Sequence, residues 1–345
     1  MGEGAERGMQ SNDGRSRSFK WVVLLLLLVL GGWIYKRSRP KAPFRGKFAR
    51  TIGAPELPAS TPPERIKGAI SFFALGDTGE GNQTQRDVAA AMSSLAERAR
   101  PGFLMFLGDN VYPDGVDSVD DEDWRTSVIE PYDLPGLRID RYAVLGNHDY
   151  NANPYAEVEF SRRDPLWVMP APNYRFTKEL DDGDSVEFFA LDTNVLREGG
   201  RLLRSSNLAR DAELTWIREA LEHSTATWKI VFGHHPLISN GTKGGSSVLV
   251  DELGDLFERT GVALYISGHD HDLQLLDSGH GWHQLVSGAG AKVRTTWWKE
   301  DTLFAEARPG FCWVQIAPDK IVLHFVTAEG GSRFTAILPG EGRSH

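Results

Sequence analysis

The chain is 345 residues long, 25% charged and 41% hydrophobic, and its 17 Phe, 10 Trp and 8 Tyr exclude disorder over most of its length. One cysteine, Cys312, excludes an internal disulfide framework and a cysteine-based zinc site. The net charge of −9 is unevenly spread: residues 1–50 hold 11 Lys and Arg against 3 acids, and the remainder holds 27 against 44, or −17, so nucleic-acid binding by the acidic body is not expected.

The leader reads as a basic segment (1–20), an apolar run (21–35) and a proline-rich linker (36–68). Residues 21–35 carry no charge and are bracketed by Trp21, Trp33 and Tyr35, as interfacial aromatics would be. Fifteen residues are short for a spanning helix, which wants ~20, and suit a signal-peptide core of ~7–15. No small-residue cleavage site comes after it; Lys36-Arg37-Ser38-Arg39 stands there instead. The run is therefore expected to be an uncleaved single-pass anchor through which the protein meets a membrane, with a cleaved signal and secretion as the alternative. Basic residues flank both ends, so charge does not set the orientation. Pro40, Pro43, Pro55, Pro58, Pro62 and Pro63 mark the linker, and the folded domain is placed at 69–340.

Within that body, apolar runs of strand length alternate with helical patterns. Strands are predicted at 69–75, 103–107, 142–145, 186–191, 229–232 and 263–267. Helices are predicted at 84–99, 211–223 and 249–260, each with apolar residues at three- and four-residue spacing. The tail is strand-rich, with predicted strands at 283–288, 311–317, 320–327 and 333–338. This order implies an α/β fold: two packed mixed β-sheets flanked by helices, in one domain. Cys312, in Phe311-Cys312-Trp313-Val314, is expected in the core.

The ends of the apolar runs carry more information than the runs themselves. Five of them pass into Gly76-Asp77-Thr78-Gly79, Gly108-Asp109-Asn110-Val111-Tyr112, Gly146-Asn147-His148-Asp149, Gly233-His234-His235-Pro236 and Gly268-His269-Asp270-His271. A glycine releases the backbone as each strand ends, and an oxygen or nitrogen donor comes directly after it. Gly-Asp after a strand is ordinarily turn or cap chemistry, and a lone Gly-His is ordinarily structural. Five together are different, because the carboxyl ends of strands in α/β sheets share one crevice. Carboxylates and imidazoles packed there are costly without a cation. The mixture suits Zn, Fe or Mn, and seven donors are enough for two metals sharing a bridge.

These blocks resemble the purple (tartrate-resistant) acid phosphatases of the calcineurin-like metallophosphoesterase superfamily, small single-domain type. The family pattern is GDxG, GDxxY, GNH[DE], VxxH and GHxH, and Tyr112, three residues after Asp109, is its distinguishing element. The resemblance implies the metallophosphoesterase four-layer sandwich. It implies that Asp77, Asp109, Tyr112 and His271 hold a first metal, Fe(III), and that Asn147, His234 and His269 complete a second, Fe(II), Zn or Mn, with Asp109 bridging. His148 is expected to reach the substrate phosphate beside Asn147, and His235 and Lys243 are further candidates for substrate contact, with His148 and His235 in the catalytic role. Asp149 and Asp270 are placed behind the ligands, Asp149 orienting a histidine.

The implied activity is acid phosphatase: hydrolysis of phosphomonoesters, on small molecules or peptides, by metal-activated hydroxide attack on phosphorus. A phosphodiesterase or nucleotidase of the same superfamily is the alternative, and a membrane-tethered non-catalytic scaffold is a third. The family habit, with the apolar run, places the catalytic domain outside the cytoplasm. Two departures stand out. Lys243 occupies the position where small animal members carry a further histidine, and Thr78 stands where they have Trp.

Overall fold

Buried strands with aliphatic and aromatic side chains on both faces need cover on both sides, and the chain supplies it as two sheets back to back. The computed structural model describes residues 1, 49–57, 60–198 and 204–340. One sheet runs, edge to edge, Ser332–Pro339 (β16), Lys320–Thr327 (β15), Gly310–Ala317 (β14), Ile70–Leu75 (β2), Phe103–Phe106 (β3), Arg141–Ala143 (β4) and Trp167–Val168 (β5). The other runs Thr302–Glu306 (β13), Leu273–Asp277 (β10), His283–Ser287 (β11), Val262–Ser267 (β9), Trp228–Phe232 (β8), Ser185–Ala190 (β7) and Tyr174–Glu179 (β6). Strands β2 to β5 are mutually parallel, as are β7, β8, β9 and β11. The expected α/β class with two mixed sheets is what the chain forms.

Aromatic rings fill the space between the sheets. Phe72 on β2 stacks on Phe103 of β3 at 4.7 Å, and Phe188 of β7 meets both edge-on at 5.6 Å. Phe176 of β6 stacks on Phe188 at 4.7 Å. Cys312 is fully buried in β14, as its apolar neighbours imply.

Helices close the outer faces. Gln83–Ala99 (α1) starts where the Asn82 side chain accepts the Gln85 amide, and buries Val88, Met92 and Ala96 over the first sheet. Pro154–Phe160 (α2) and Thr193–Glu198 (α3) are short connectors. Arg204–His223 (α4) and Ser247–Thr260 (α5) pack Ile217, Leu221, Leu253 and Phe257 against Val231 and Tyr265 of the second sheet. Helix α5 ends at Gly261, whose φ of +69° suits a residue without a Cβ.

Residues before the body make specific contacts with it. Thr51–Ile52 (β1) pairs in parallel with Thr296–Trp297 (β12), and Ile66 N donates to Gln315 Oε1 at 2.7 Å. Gln315 Nε2 returns a bond to the Glu64 carbonyl. Proline excludes these residues from helix and strand interiors, but it does not stop a segment docking along a sheet. The anchor expected at 21–35, like all of residues 2–48, lies outside the described residues. Among the described residues no helix is long and apolar enough to cross a membrane.

The two sheets are stitched where their central strands end. Ser287, at the end of β11, donates its hydroxyl to the Ala74 carbonyl at 2.8 Å and accepts the Gly76 amide at 2.7 Å. The carboxyl ends of β2, β3, β4, β8 and β9 therefore open onto one space.

Behind it, α4 buries Glu213, whose Oε1 accepts the Asp192 amide at 3.0 Å. Burial, and then the Asp192 charge, push the Glu213 carboxyl up to about 8. A folded-state value above the unfolded one gives stability that is full at acid pH and lost as pH rises through about 8. Thermal unfolding followed from pH 5 to 8 should show Tm falling in the wild type. In Glu213→Gln the fall should be shallower by up to roughly 1 kcal/mol per pH unit in unfolding free energy.

Candidate metal centre

Each donor-bearing loop begins where a parallel strand stops. β2 delivers Asp77, β3 delivers Asp109 and Tyr112, and the loop after β4 carries Asn147 and His148. β8 delivers His234 and His235, and β9 delivers His269 and His271. Asp77, Asp109 and His269 take φ of +56°, +51° and +69°, a left-handed conformation unfavourable for residues with side chains. Strain of this kind survives only where the surroundings over-determine it, and it collects at functional sites. The surroundings here leave no slack. A Cβ on Gly146 would lie 2.1 Å from the Asp109 amide nitrogen.

All seven predicted ligands converge. The Tyr112 hydroxyl donates to Asp109 Oδ2 at 2.8 Å and approaches Asp77 Oδ1 at 3.0 Å, with His271 Nε2 at 3.5 Å. His271 Nε2 stands 3.1 Å from Asp77 Oδ1. On the other side, His234 Nε2 lies 3.0 Å from His269 Nδ1, 3.3 Å from Asn147 Oδ1 and 3.4 Å from Asp109 Oδ1. Asp109 thus turns one oxygen to each cluster. His234 Nδ1 bonds to the Leu107 carbonyl at 2.8 Å, which leaves Nε2 free to coordinate.

The electrostatics call for cations. Asp77 and Asp109 are fully buried. Burial, and then those two carboxylates, push the Tyr112 phenol well above its usual range, so it ionises only if positive charge enters the pocket. Burial, and then His234 and His235, push His269 far down, and burial with His234 does the same to His235. Neutral imidazoles expose lone pairs. The cluster of phenol, two carboxylates and one imidazole suits a hard, highly charged ion, and the cluster of amide and imidazoles suits a divalent one. The donor set fits two metals.

Two acidic residues support the ligand loops. Asp149 takes the backbone amides of Gly146 at 2.7 Å and Asn110 at 2.9 Å, tying two ligand loops together rather than orienting a histidine. Asp270 accepts the amides of Lys243 at 2.7 Å and Gly244 at 3.0 Å, and the Ser239 hydroxyl at 2.5 Å. It fastens the 239–244 turn, which carries Lys243 Nζ to 3.2 Å from His269 Nδ1. Burial depresses the Lys243 ammonium below its usual range.

His235 lies beside the second cluster, its ring centroid 4.4 Å from that of His269, and Nδ1 meets Thr193 Oγ1 at 2.9 Å. Its Nε2 is buried without a hydrogen-bond partner among the described residues. His148 Nδ1 contacts the Pro113 carbonyl at 2.5 Å, and Nε2 stands 4.0 Å from Asp109 Oδ2. Thr193 carried no sequence signal, because a lone threonine after a strand is commonplace.

The sequence profile of the calcineurin-like phosphoesterases matches residues 70–273. An alignment with purple acid phosphatase 7 of Arabidopsis thaliana is 36% identical over 250 residues, covering 67% of this chain and 73% of that one. The chain belongs to the purple acid phosphatases, within the calcineurin-like phosphoesterase family. Human tartrate-resistant acid phosphatase type 5 is 29% identical over 306 residues, covering 80% and 92% of the two chains. The anchor in the inner membrane complex of Plasmodium shares the fold, with a TM-score of 0.73 at 24% identity over 80% of this chain and 90% of that one. As a purple acid phosphatase relative, the protein is a metal-dependent phosphoesterase.

If Asp270 acts by fastening the 239–244 turn, Asp270→Ala should withdraw Lys243 from the centre. Inhibition by inorganic phosphate should weaken roughly tenfold, the scale of losing hydrogen bonds to one carboxylate. Lys243→Ala should match it, and the double variant should be no worse than either alone.

Proposed function

We propose that the protein hydrolyses phosphomonoesters at a dinuclear centre, with Fe(III) held by Asp77, Asp109, Tyr112 and His271. Fe(II), Zn or Mn is held by Asp109, Asn147, His234 and His269. The observation that carries this reading is the division of the Asp109 carboxylate, Oδ2 at 2.8 Å from the Tyr112 hydroxyl and Oδ1 at 3.4 Å from His234 Nε2. A carboxylate shared in this way suits two ions and is wasteful for one. Two metals held by these residues would polarise the phosphoryl group and acidify a water.

The protein's own groups do the rest. His148, whose Nδ1 donates to the Pro113 carbonyl, turns Nε2 toward the Asp109 side of the cleft, where its doubly protonated form donates to a phosphate oxygen. Lys243 holds another from the opposite side and replaces the histidine of small animal relatives. The Thr193 hydroxyl accepts the His235 amide at 3.1 Å and gives its own proton to Nδ1, so Nε2 keeps its proton and points it inward. That N–H can donate a hydrogen bond to the leaving oxygen as negative charge builds on it. Substrates are phosphorylated small molecules or peptides. We further propose that residues 21–35 tether this domain to a membrane on its extracytoplasmic side.

Aerobic protein loaded with iron should show a broad tyrosinate-to-iron band in the visible, lost in Tyr112→Phe. Asp109→Ala should lower metal content below two per chain and kcat by at least about 10³-fold, the scale of removing a principal electrostatic element. Full activity in Asp109→Ala would falsify the dinuclear reading. A colourless, active protein preferring diesters or nucleotides in a substrate panel would favour the nucleotidase or phosphodiesterase alternative, and a protein that takes up no metal would favour the scaffold.

A further inference from the structure

One cation beside the centre lies against an aromatic ring. Lys292, in the loop after β11, places Nζ 3.3 Å from the centroid of the Tyr112 ring. Glu80, three residues after Asp77, grips that ammonium in an ion pair of 2.5 Å, with the two side chains only 15% and 22% exposed. The ring is fixed from other sides as well. The Tyr112 amide donates to the Gly79 carbonyl at 2.9 Å, the hydroxyl reaches Asp77 and Asp109, and the His148 ring lies 4.6 Å away. The ammonium is thus tethered by the loop that bears one ligand and laid on the face of another.

We propose that Lys292 is a positioning and tuning residue for the Tyr112 donor, setting the energy of the electrons that the phenolate shares with the metal. This role rests on Tyr112 being a ligand of Fe(III). A cation over an aromatic face is attracted by the ring's electron density, and more strongly when desolvated. So close a charge, in a half-buried position, is weakly screened by solvent and salt. Electrons held lower in energy are harder to pass to iron, so the tyrosinate-to-iron band lies at shorter wavelength with Lys292 than without it. The same positive charge disfavours Fe(III) relative to Fe(II) and raises the midpoint potential of that ion.

The test uses the full chain loaded with iron, with Lys292→Met and Lys292→Gln as two neutral replacements and Lys292→Arg as the charge-retaining one. Both neutral variants should move the visible band to longer wavelength and lower the midpoint potential, and Lys292→Arg should return both to the wild-type side. A wild-type band that stays in place in both neutral variants overturns the inference. An equal displacement in Lys292→Arg also overturns it, since the effect would then be packing and not charge. A wild-type protein that binds iron without a visible band overturns the inference together with the Tyr112–Fe(III) reading, and so separates the two failures.

Discussion

The site depends on one buried carboxylate facing two ways. Asp109 can offer Oδ2 to the tyrosine side and Oδ1 to the histidine side only because its backbone is held at φ +51° and the neighbouring loop presents a bare glycine. The His148 amide, donating to Oδ1 at 2.9 Å, fixes the remaining freedom of the carboxylate. Moving β3 relative to β4 or β8 would break this arrangement, so the register of the parallel strands is a requirement of the chemistry. Leu107 shows the coupling. It ends the β3 run as a fully buried residue and uses its carbonyl to set the ring of His234, 127 positions later.

Rigidity behind the ligands comes from acids that hold backbone. Asp149 and Asp270 sit next to or between ligands in sequence, yet their oxygens go to amide groups of neighbouring loops. Bonds of this kind pre-position the donors before any metal arrives. Local charge also departs from the average. The body carries −17, but Lys243, Lys292 and Arg294 act on the groups of the cleft. A phosphate approaching the protein meets this local field rather than the net charge.

Much of the frame was legible in the sequence. The runs that became β2, β3, β8 and β9 are apolar on both faces because both faces are covered, and α1 and α5 appear within two residues of their predicted spans. Strands β6, β10 and β13 were not foreseen. Tyr174–Glu179 lies at a sheet edge and carries three charges, and Leu273–Asp277 begins one residue after a motif that drew attention for its donors and not as a strand start. The contacts of Thr51, Ile52 and Ile66 with the body were not legible, because composition reports what a segment cannot form internally and not where it docks.

By itself the sequence determined which donors exist, their order, and their placement just after buried strands, since apolar runs and glycine breaks are local features written over a few residues. Tyr112 stands in that order, three residues after Asp109. Only the tertiary structure decided which oxygen of Asp109 meets which cluster, that Asp149 and Asp270 serve backbone amides, and that Lys292 lies on the Tyr112 ring. Those contacts join residues as far apart as 77 and 271 or 112 and 292, and such distances are fixed by strand register and side-chain rotamer, which no local pattern encodes.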